Sequence, residues 1–448
     1  MSKDDRISGN AFTRGARLAG LPAAYAARTT FGLGKRIVGA PAQAVMNDVQ
    51  RRTAEQMFSV LGQLKGGAMK FGQALSVFEA ALPEEFAGPY REALAKLQDA
   101  APAMPTSTVH RVLTEEFGPA WREKFPEFDD TPAAAASIGQ VHRATWLDDD
   151  GTARDVAVKL QYPGAGKALL SDLKQIGRLA KLIGVVAPGL DLDGIVTELR
   201  ARVAEELDYR LEAGAQNNFA DAFADDPAIV VPRALAHTER ALVSEWLEST
   251  GSLAKIIRSG TPEERDAYGE AFVRFLFAGP ERAGLLHADP HPGNFRLLPD
   301  GRLGVVDFGA VARVPEGLPP AIGPLLRAAV DGDYDTVFDG LADEGFFRVG
   351  ADIDRAAMAA YIDPLVEPAR SEVFSFSRSW LRDQAQRMAA RAPEGIGSAT
   401  QLTVPPEYVL IHRVWTGGVG VLCQLEATAP FRAILRESLP GFGDDPDD

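Results

Sequence analysis

His287-Ala288-Asp289-Pro290-His291-Pro292-Gly293-Asn294-Phe295, followed by Asp307-Phe308-Gly309, is the stretch on which the reading of this 448-residue chain turns. Asn294 stands five residues after Asp289, and Asp307 stands thirteen after Asn294. A carboxylate, an amide and a second carboxylate beyond a short apolar strand form a constellation suited to phosphoryl transfer. The first Asp accepts a hydroxyl proton or orients a nucleophile. The Asn and the second Asp offer hard oxygen ligands to a Mg²⁺ ion that bridges nucleotide phosphates. Pro290, Pro292 and Gly293 supply the helix-breaking turn such a loop requires.

A surface turn has the same Pro/Gly/Asn composition, and an apolar strand often ends in Gly. The conjunction decides against both readings, because the catalytic loop of protein kinases has this order and spacing. Leu298-Pro299-Asp300-Gly301-Arg302, between the two motifs, reads as the turn of a hairpin.

The composition is that of an ordinary globular protein, 46% hydrophobic and 24% charged, and the length suffices for two or three domains. A net charge of −15 excludes a general nucleic-acid binder. The single cysteine, Cys423, excludes an intrachain disulfide framework and a cysteine-rich zinc site. No signal-peptide core and no uninterrupted apolar run of spanning length is present, so a cytoplasmic location is expected. Basic residues dominate between Lys3 and Arg52. Pro22 and several glycines favour a solvated helical arm there; contact with an anionic membrane surface is the other reading.

Helical periodicity occupies roughly 54–97 and 108–117, the latter ended by Gly118-Pro119. From Pro132 the pattern turns to β, with SIGQVHRATWL and DVAVKLQYP separated by the polar turn DDDGTAR. Helical patterns return from Gly166 to about Phe223, IVVPRALAHTERALVSEWL reads as two further strands, and the chain after Gly251 is mostly helical. Lys159, at the end of Val156-Ala-Val-Lys159, is placed to reach the α- and β-phosphates of a nucleotide. Glu205, Asp208 and Glu212 are spaced to share one helical face. Ala133-Ala134-Ala135-Ala136-Ser137 occupies the slot of a glycine-rich phosphate loop, where the Cβ atoms imply a stiffer or differently shaped clamp. Glu245 and Trp246, in Leu-Val-Ser-Glu-Trp-Leu, occupy the slot of an adenine-reading hinge.

These motifs together resemble the UbiB/AarF group of atypical protein-kinase-like proteins, also called ADCK proteins, from about Ala54 nearly to the C-terminus. The most specific mark is Lys70-Phe-Gly72-Gln73, a Lys-x-Gly-Gln motif; the alanine-rich loop and Glu206-Leu-Asp208-Tyr209, a Glu-x-Asp motif, are two more. The resemblance implies an α+β, two-lobed protein-kinase-like fold with a small β-rich N-lobe, a helical C-lobe and an added N-terminal helical extension. The expected division is a basic arm (1–53), the helical extension (54–130), the N-lobe with a helical insert (131–250), the C-lobe (251–442) and an acidic tail (443–448). By the same resemblance Lys70 and Gln73 cover the nucleotide, Lys70 meets Glu206 and Asp208, and Glu212 pairs with Lys159. Asp289 takes the catalytic-loop role, and Asn294 and Asp307 hold Mg²⁺.

Val314-Pro315-Glu316 follows Asp-Phe-Gly by only a few residues and leaves no room for a peptide-docking segment. The expected activity is therefore a Mg²⁺-dependent ATPase or a small-molecule or lipid kinase using ATP. The resemblance alone links it to isoprenoid-quinone biosynthesis. The implied partners are a nucleotide, a lipid or isoprenoid-quinone precursor, and the inner face of the plasma membrane, touched peripherally. Two other readings stand beside it: a nucleotide-gated scaffold or lipid-binding chaperone without phosphoryl transfer, and an aminoglycoside- or choline-type phosphotransferase. The second usually lacks Asp-Phe-Gly and Lys-x-Gly-Gln.

Overall fold

The computed structural model describes residues 103–136, 138–166, 207–347, 354–387 and 404–443. Lys70, Gln73, Ser137 and Glu206, with the basic arm and the acidic tail beyond Gly443, lie outside them. The described chain divides into two compact units. One runs to Arg210 and includes Leu235–Ser244; the other holds Leu211–Ala234 and everything from Glu245 onward.

The first unit is built on a six-stranded sheet. Its centre is the expected hairpin of β3 (Gly139–Leu147) and β4 (Ala153–Gln161), antiparallel from Gly139↔Gln161 to Leu147↔Ala153. β3 continues outward to β1 (Glu127–Phe128), and β4 continues to β7 (Ala241–Glu245) and then β6 (Ala234–His237). The inward-facing Val156, Val158 and Leu160 alternate with more exposed neighbours, the period-two pattern of a half-buried sheet. Helices α1 (Thr106–Phe117) and α2 (Trp121–Lys124) cover that face with Val109, Leu113, Trp121 and Phe125. Gly118 ends α1 at φ 85°, a conformation open to glycine.

A buried polar chain crosses this unit. Gln140 Oε1 accepts from the Met104 amide (2.7 Å), and Gln140 Nε2 donates to His142 Nε2 (2.7 Å). His142 Nδ1–H donates to the Asp129 carbonyl (2.8 Å). Burial pushes the His142 imidazole below its ordinary value, with His110 acting in the same direction against the neighbouring Asp129 and Asp130. Between that lowered value and about 6.5 the unfolded chain binds a proton that the folded chain does not. Stability is therefore full above that window and is lost as pH falls through it. Melting curves of the wild type and His142→Gln from about pH 7 to 5 test this: the wild type should lose stability more steeply, and parallel slopes would contradict the assignment.

The second unit is mainly helical. Its longest described helix, Pro262–Ala283, opens with a capping box in which Thr261 and Glu264 satisfy each other's amides (3.2 and 2.9 Å). It ends at Gly284, φ 62°. Beside it lies a four-stranded sheet in the order β5 (Ile229–Val230), β11 (Leu303–Val305), β10 (Phe295–Leu297), β8 (Gly251–Ser252). A separate two-stranded ladder joins β9 (Leu285–His287) to β12 (Val311–Arg313). The core beneath is rich in phenylalanine: Phe219, Phe272, Phe275, Phe295 and Phe308 are all buried.

Two local readings are corrected. The stretch read as two strands contains three, because Ile229–Val230 pairs in parallel with β11 in the second unit's sheet. Pro232 lacks an amide to continue a ladder, and the Ala234 amide is taken by Asn217 Oδ1 (2.9 Å). Asp208 also does not share a helical face with Glu212. The helix begins at Tyr209 and runs to Ala222, and Asp208 Oδ1 accepts from the Arg210 amide (3.0 Å), closing the helix start as an N-cap does.

Candidate active site

The second unit contains the metal-and-acid half of the predicted constellation. The hairpin register Phe295↔Val305, Arg296↔Gly304, Leu297↔Leu303 extends one step further, where the Val306 amide donates to the Asn294 carbonyl (2.9 Å). Asp307 follows directly, so the backbones of Asn294 and Asp307 are close in register at the open end of the hairpin. The closed end is the anticipated turn, with Gly301 at φ 88°.

Asn294 is buried, and its Nδ2 donates to the Asp289 carbonyl (3.2 Å). That bond fixes the amide orientation, turns Oδ1 away from Asp289's backbone and ties the acid residue to the ligand residue. The intervening turn is stapled by His291, whose Nδ1 accepts from Gly293 N–H (3.1 Å) and whose carbonyl accepts from the Asn294 amide (3.0 Å).

Asp307 has φ 67°, a left-handed conformation that Asp tolerates better than most residues. The residue that holds it there is His287, to which the sequence pattern assigns no role. His287 Nε2–H donates to the Asp307 carbonyl (3.0 Å). The imidazole is buried among Phe219, Phe275, Phe295 and Phe308, with ring centroids 5.3 to 6.3 Å away. On the other side of the turn, a Cβ at Gly309 would lie 3.4 Å from both Asp307 Oδ1 and Glu212 Oε2. Glu212, buried on helix Tyr209–Ala222, therefore flanks the same glycine as the Asp307 carboxylate.

Asn294 and Asp307 suit Mg²⁺. Both present hard oxygen, and Mg²⁺ takes one or two protein carboxylates or amides and completes its shell with phosphates and water. Among the described residues no cluster of three or more His, Cys, Asp or Glu side chains could hold a metal unaided.

The first unit contains the residues expected to face phosphate. Ala134–Ala136 is a short strand, β2, paired antiparallel to β3 with Ala136 opposite Gly139. The alanine-rich slot is thus hydrogen-bonded hairpin, and Ala133 extends it by donating to the Val141 carbonyl (2.8 Å). Lys159 sits opposite Val141 on β4, next to this hairpin. Asp208 is engaged by Arg210 through a two-pronged contact, 2.8 Å at each oxygen, and that contact holds its carboxyl below the usual range. Glu245 and Trp246 belong to the second unit. The Glu245 amide donates to the Arg233 carbonyl (2.9 Å), and the Trp246 indole donates to Glu248 (3.3 Å). The Glu245 amide is therefore committed to its own strand end.

A β-sheet unit bearing a strand lysine, and a helical unit bearing a catalytic loop and an Asp-Phe-Gly turn, define a protein-kinase-like protein. Comparison with known proteins narrows the class. The ABC1 atypical kinase-like domain model matches residues 96–340, and the chain belongs to that family. Atypical kinase coq-8 of Caenorhabditis elegans, a mitochondrial protein, is 28% identical over 443 residues, 94% of this chain. Atypical kinase COQ8 of Saccharomyces cerevisiae is 29% identical and aligns with 82% of this chain and 72% of its own length. The chain spans only 55% of the C. elegans protein and 63% of the zebrafish COQ8B protein. The solved structure of Rv3197 from Mycobacterium tuberculosis, in complex with erythromycin, is 43% identical. It matches with a TM-score of 0.67 over 90% of this chain and 100% of that one.

Proposed function

We propose that this chain is a Mg²⁺-dependent ATPase, or a kinase of a small or lipid-derived molecule, acting in support of isoprenoid-quinone biosynthesis at a membrane surface. The observation that carries this reading is the hairpin register that bonds Val306, the neighbour of Asp307, to the Asn294 backbone, with Asn294 bonded in turn to the backbone of Asp289. In this assignment Asn294 and Asp307 hold Mg²⁺, which supplies charge neutralisation at the phosphates. Lys159 binds the α- and β-phosphates, Asp289 orients the attacking hydroxyl or water, and Glu212 keeps the role that the resemblance implies. Lys70, Gln73, Glu206 and Asp208 keep the covering role that the resemblance implies.

The chain after Asp-Phe-Gly supports a small acceptor. Val311–Arg313 returns at once to pair with β9, the Val314 amide donates to the Gly284 carbonyl (2.9 Å), and a helix starts at Ile322. That is too little chain to form a peptide-docking segment. Among the described residues no helix is long and apolar enough to cross a membrane.

The test is incubation with γ-labelled ATP, Mg²⁺ and anionic vesicles containing a quinone-precursor mimic. Free labelled phosphate, increased by the vesicles, is the outcome expected of an ATPase; label on the mimic identifies a kinase. Tight nucleotide binding with neither product would remove both in favour of a nucleotide-gated scaffold or lipid-binding chaperone. A second reading, binding of a macrolide-sized ligand, rests on the 43% identity to a protein solved with erythromycin. Calorimetric titration with erythromycin, with and without ATP, decides it.

A further inference from the structure

Lys159 and Tyr209 are fifty residues apart in the chain, yet the Lys159 ammonium lies 5.0 Å from the centre of the Tyr209 ring. That is within the range at which the negative face of an aromatic ring attracts a cation. The ring is only 1% exposed, so water screens the attraction weakly. We propose that Tyr209 is a positioning residue for Lys159: its ring face is a fixed seat that holds the strand lysine's ammonium charged and in place.

The seat is fixed by its surroundings. Lys159 and Gln161 lie two apart on β4 and so point to the same side of the sheet. Gln161 Nε2 donates to the Leu207 carbonyl (2.8 Å) and the Glu239 carbonyl (3.3 Å). The Tyr209 amide donates to that same Glu239 carbonyl (3.0 Å), while the Gln161 amide donates to the Arg240 carbonyl (3.0 Å). Strand β4, the residue before the Asp208 cap and the β6–β7 turn are thus bonded around one point. The cap ensures that the helix begins at Tyr209 itself. An ion pair to Lys159 fixes its charge; a ring face also restricts its direction, because attraction falls as the ammonium slides off the face.

The test separates this seat from ordinary packing. In the full-length protein, the pH midpoint of Lys159 acetylation is read by mass spectrometry in the wild type, Tyr209→Leu and Tyr209→Phe. Removing the ring face destabilises the ammonium, so the midpoint should fall by about one pH unit in Tyr209→Leu and return near the wild-type value in Tyr209→Phe. If Tyr209→Leu does not fold, a ring-fluorinated phenylalanine at 209 preserves the shape and weakens the negative face. It should lower the midpoint in step with the number of fluorines. An unchanged midpoint in either aromatic-weakened protein overturns the proposal.

A second readout rests on the phosphate role assigned to Lys159 above. Tyr209→Leu should weaken ATP binding by about fivefold or more, with Tyr209→Phe close to wild type. If Lys159→Met binds ATP as well as the wild type, the phosphate role fails, and the acetylation midpoint still judges Tyr209. If Lys159→Met weakens binding and Tyr209→Leu shifts neither readout, the seat fails alone.

Discussion

Replacing Asp307 by Asn is expected to lower Mg²⁺-dependent phosphate release from ATP by about a thousandfold while leaving the melting temperature nearly unchanged. The backbone makes this substitution unusually clean. Asp307 sits at φ 67°, and Asn adopts that region about as readily as Asp, whereas Ala would add steric strain of its own. The printed contacts of the turn need no second carboxylate oxygen: His287 Nε2 donates to the Asp307 carbonyl (3.0 Å), and the Gly309 amide donates to Asp307 Oδ1 (3.4 Å). They persist in Asp307→Asn, which removes the charge and keeps one oxygen. A lost carboxylate ligand of this kind costs several kcal/mol of transition-state stabilisation, and each ~1.4 kcal/mol is tenfold in rate. Single-turnover assays with γ-labelled ATP measure the loss, and melting curves check the fold. A residual rate within about tenfold of wild type would mean that Asp307 does not hold the metal.

The same residues show what a sequence discloses and what it hides. Asn294 and Asp307 are legible as a pair because the Asp300-Gly301 turn is local, and a hairpin turn sets the register that brings the strand ends together. The β3–β4 hairpin is legible for the same reason. His287 is hidden: its partner is a backbone carbonyl twenty residues away, and a main-chain acceptor leaves no residue-type signature. The helix start is misleading because Glu205, Asp208 and Glu212 fit helical spacing, while Asp208's own side chain competes for the Arg210 amide and ends the periodicity. Ile229–Val230 is easily given to the wrong sheet because its parallel partner, β11, lies some seventy residues on, and apolar strand residues do not name their partner.

Among the described residues of the first unit, the most damaging single methyl is expected at Gly139. In the sequence this glycine stands just past the alanine-rich loop. The structure gives it a steric constraint. A Cβ there would lie 2.8 Å from the Leu160 carbonyl carbon and closer still to its oxygen. Both atoms are backbone of the neighbouring strand, so no side chain can swing aside. Gly139 is also the residue at which three strands meet, opposite Ala136 on β2 and Gln161 on β4. Gly139→Ala must therefore push β3 off β4 at the end nearest Lys159 and loosen the β2 hairpin with it. Overpacking of this kind costs about 3 kcal/mol, which lowers the melting temperature by about 10 °C for a unit of this size. Gly151, in the turn of the same hairpin, is the matched control. It has φ 82° but nothing within 4 Å of an added methyl, so Gly151→Ala bears only the left-handed backbone cost of about 1 kcal/mol. Thermal denaturation of the two variants side by side should show Gly139→Ala melting several degrees below Gly151→Ala. Equal melting temperatures would show that β3 and β4 can separate at Gly139 without loss, and that the close strand contact is not what requires glycine there.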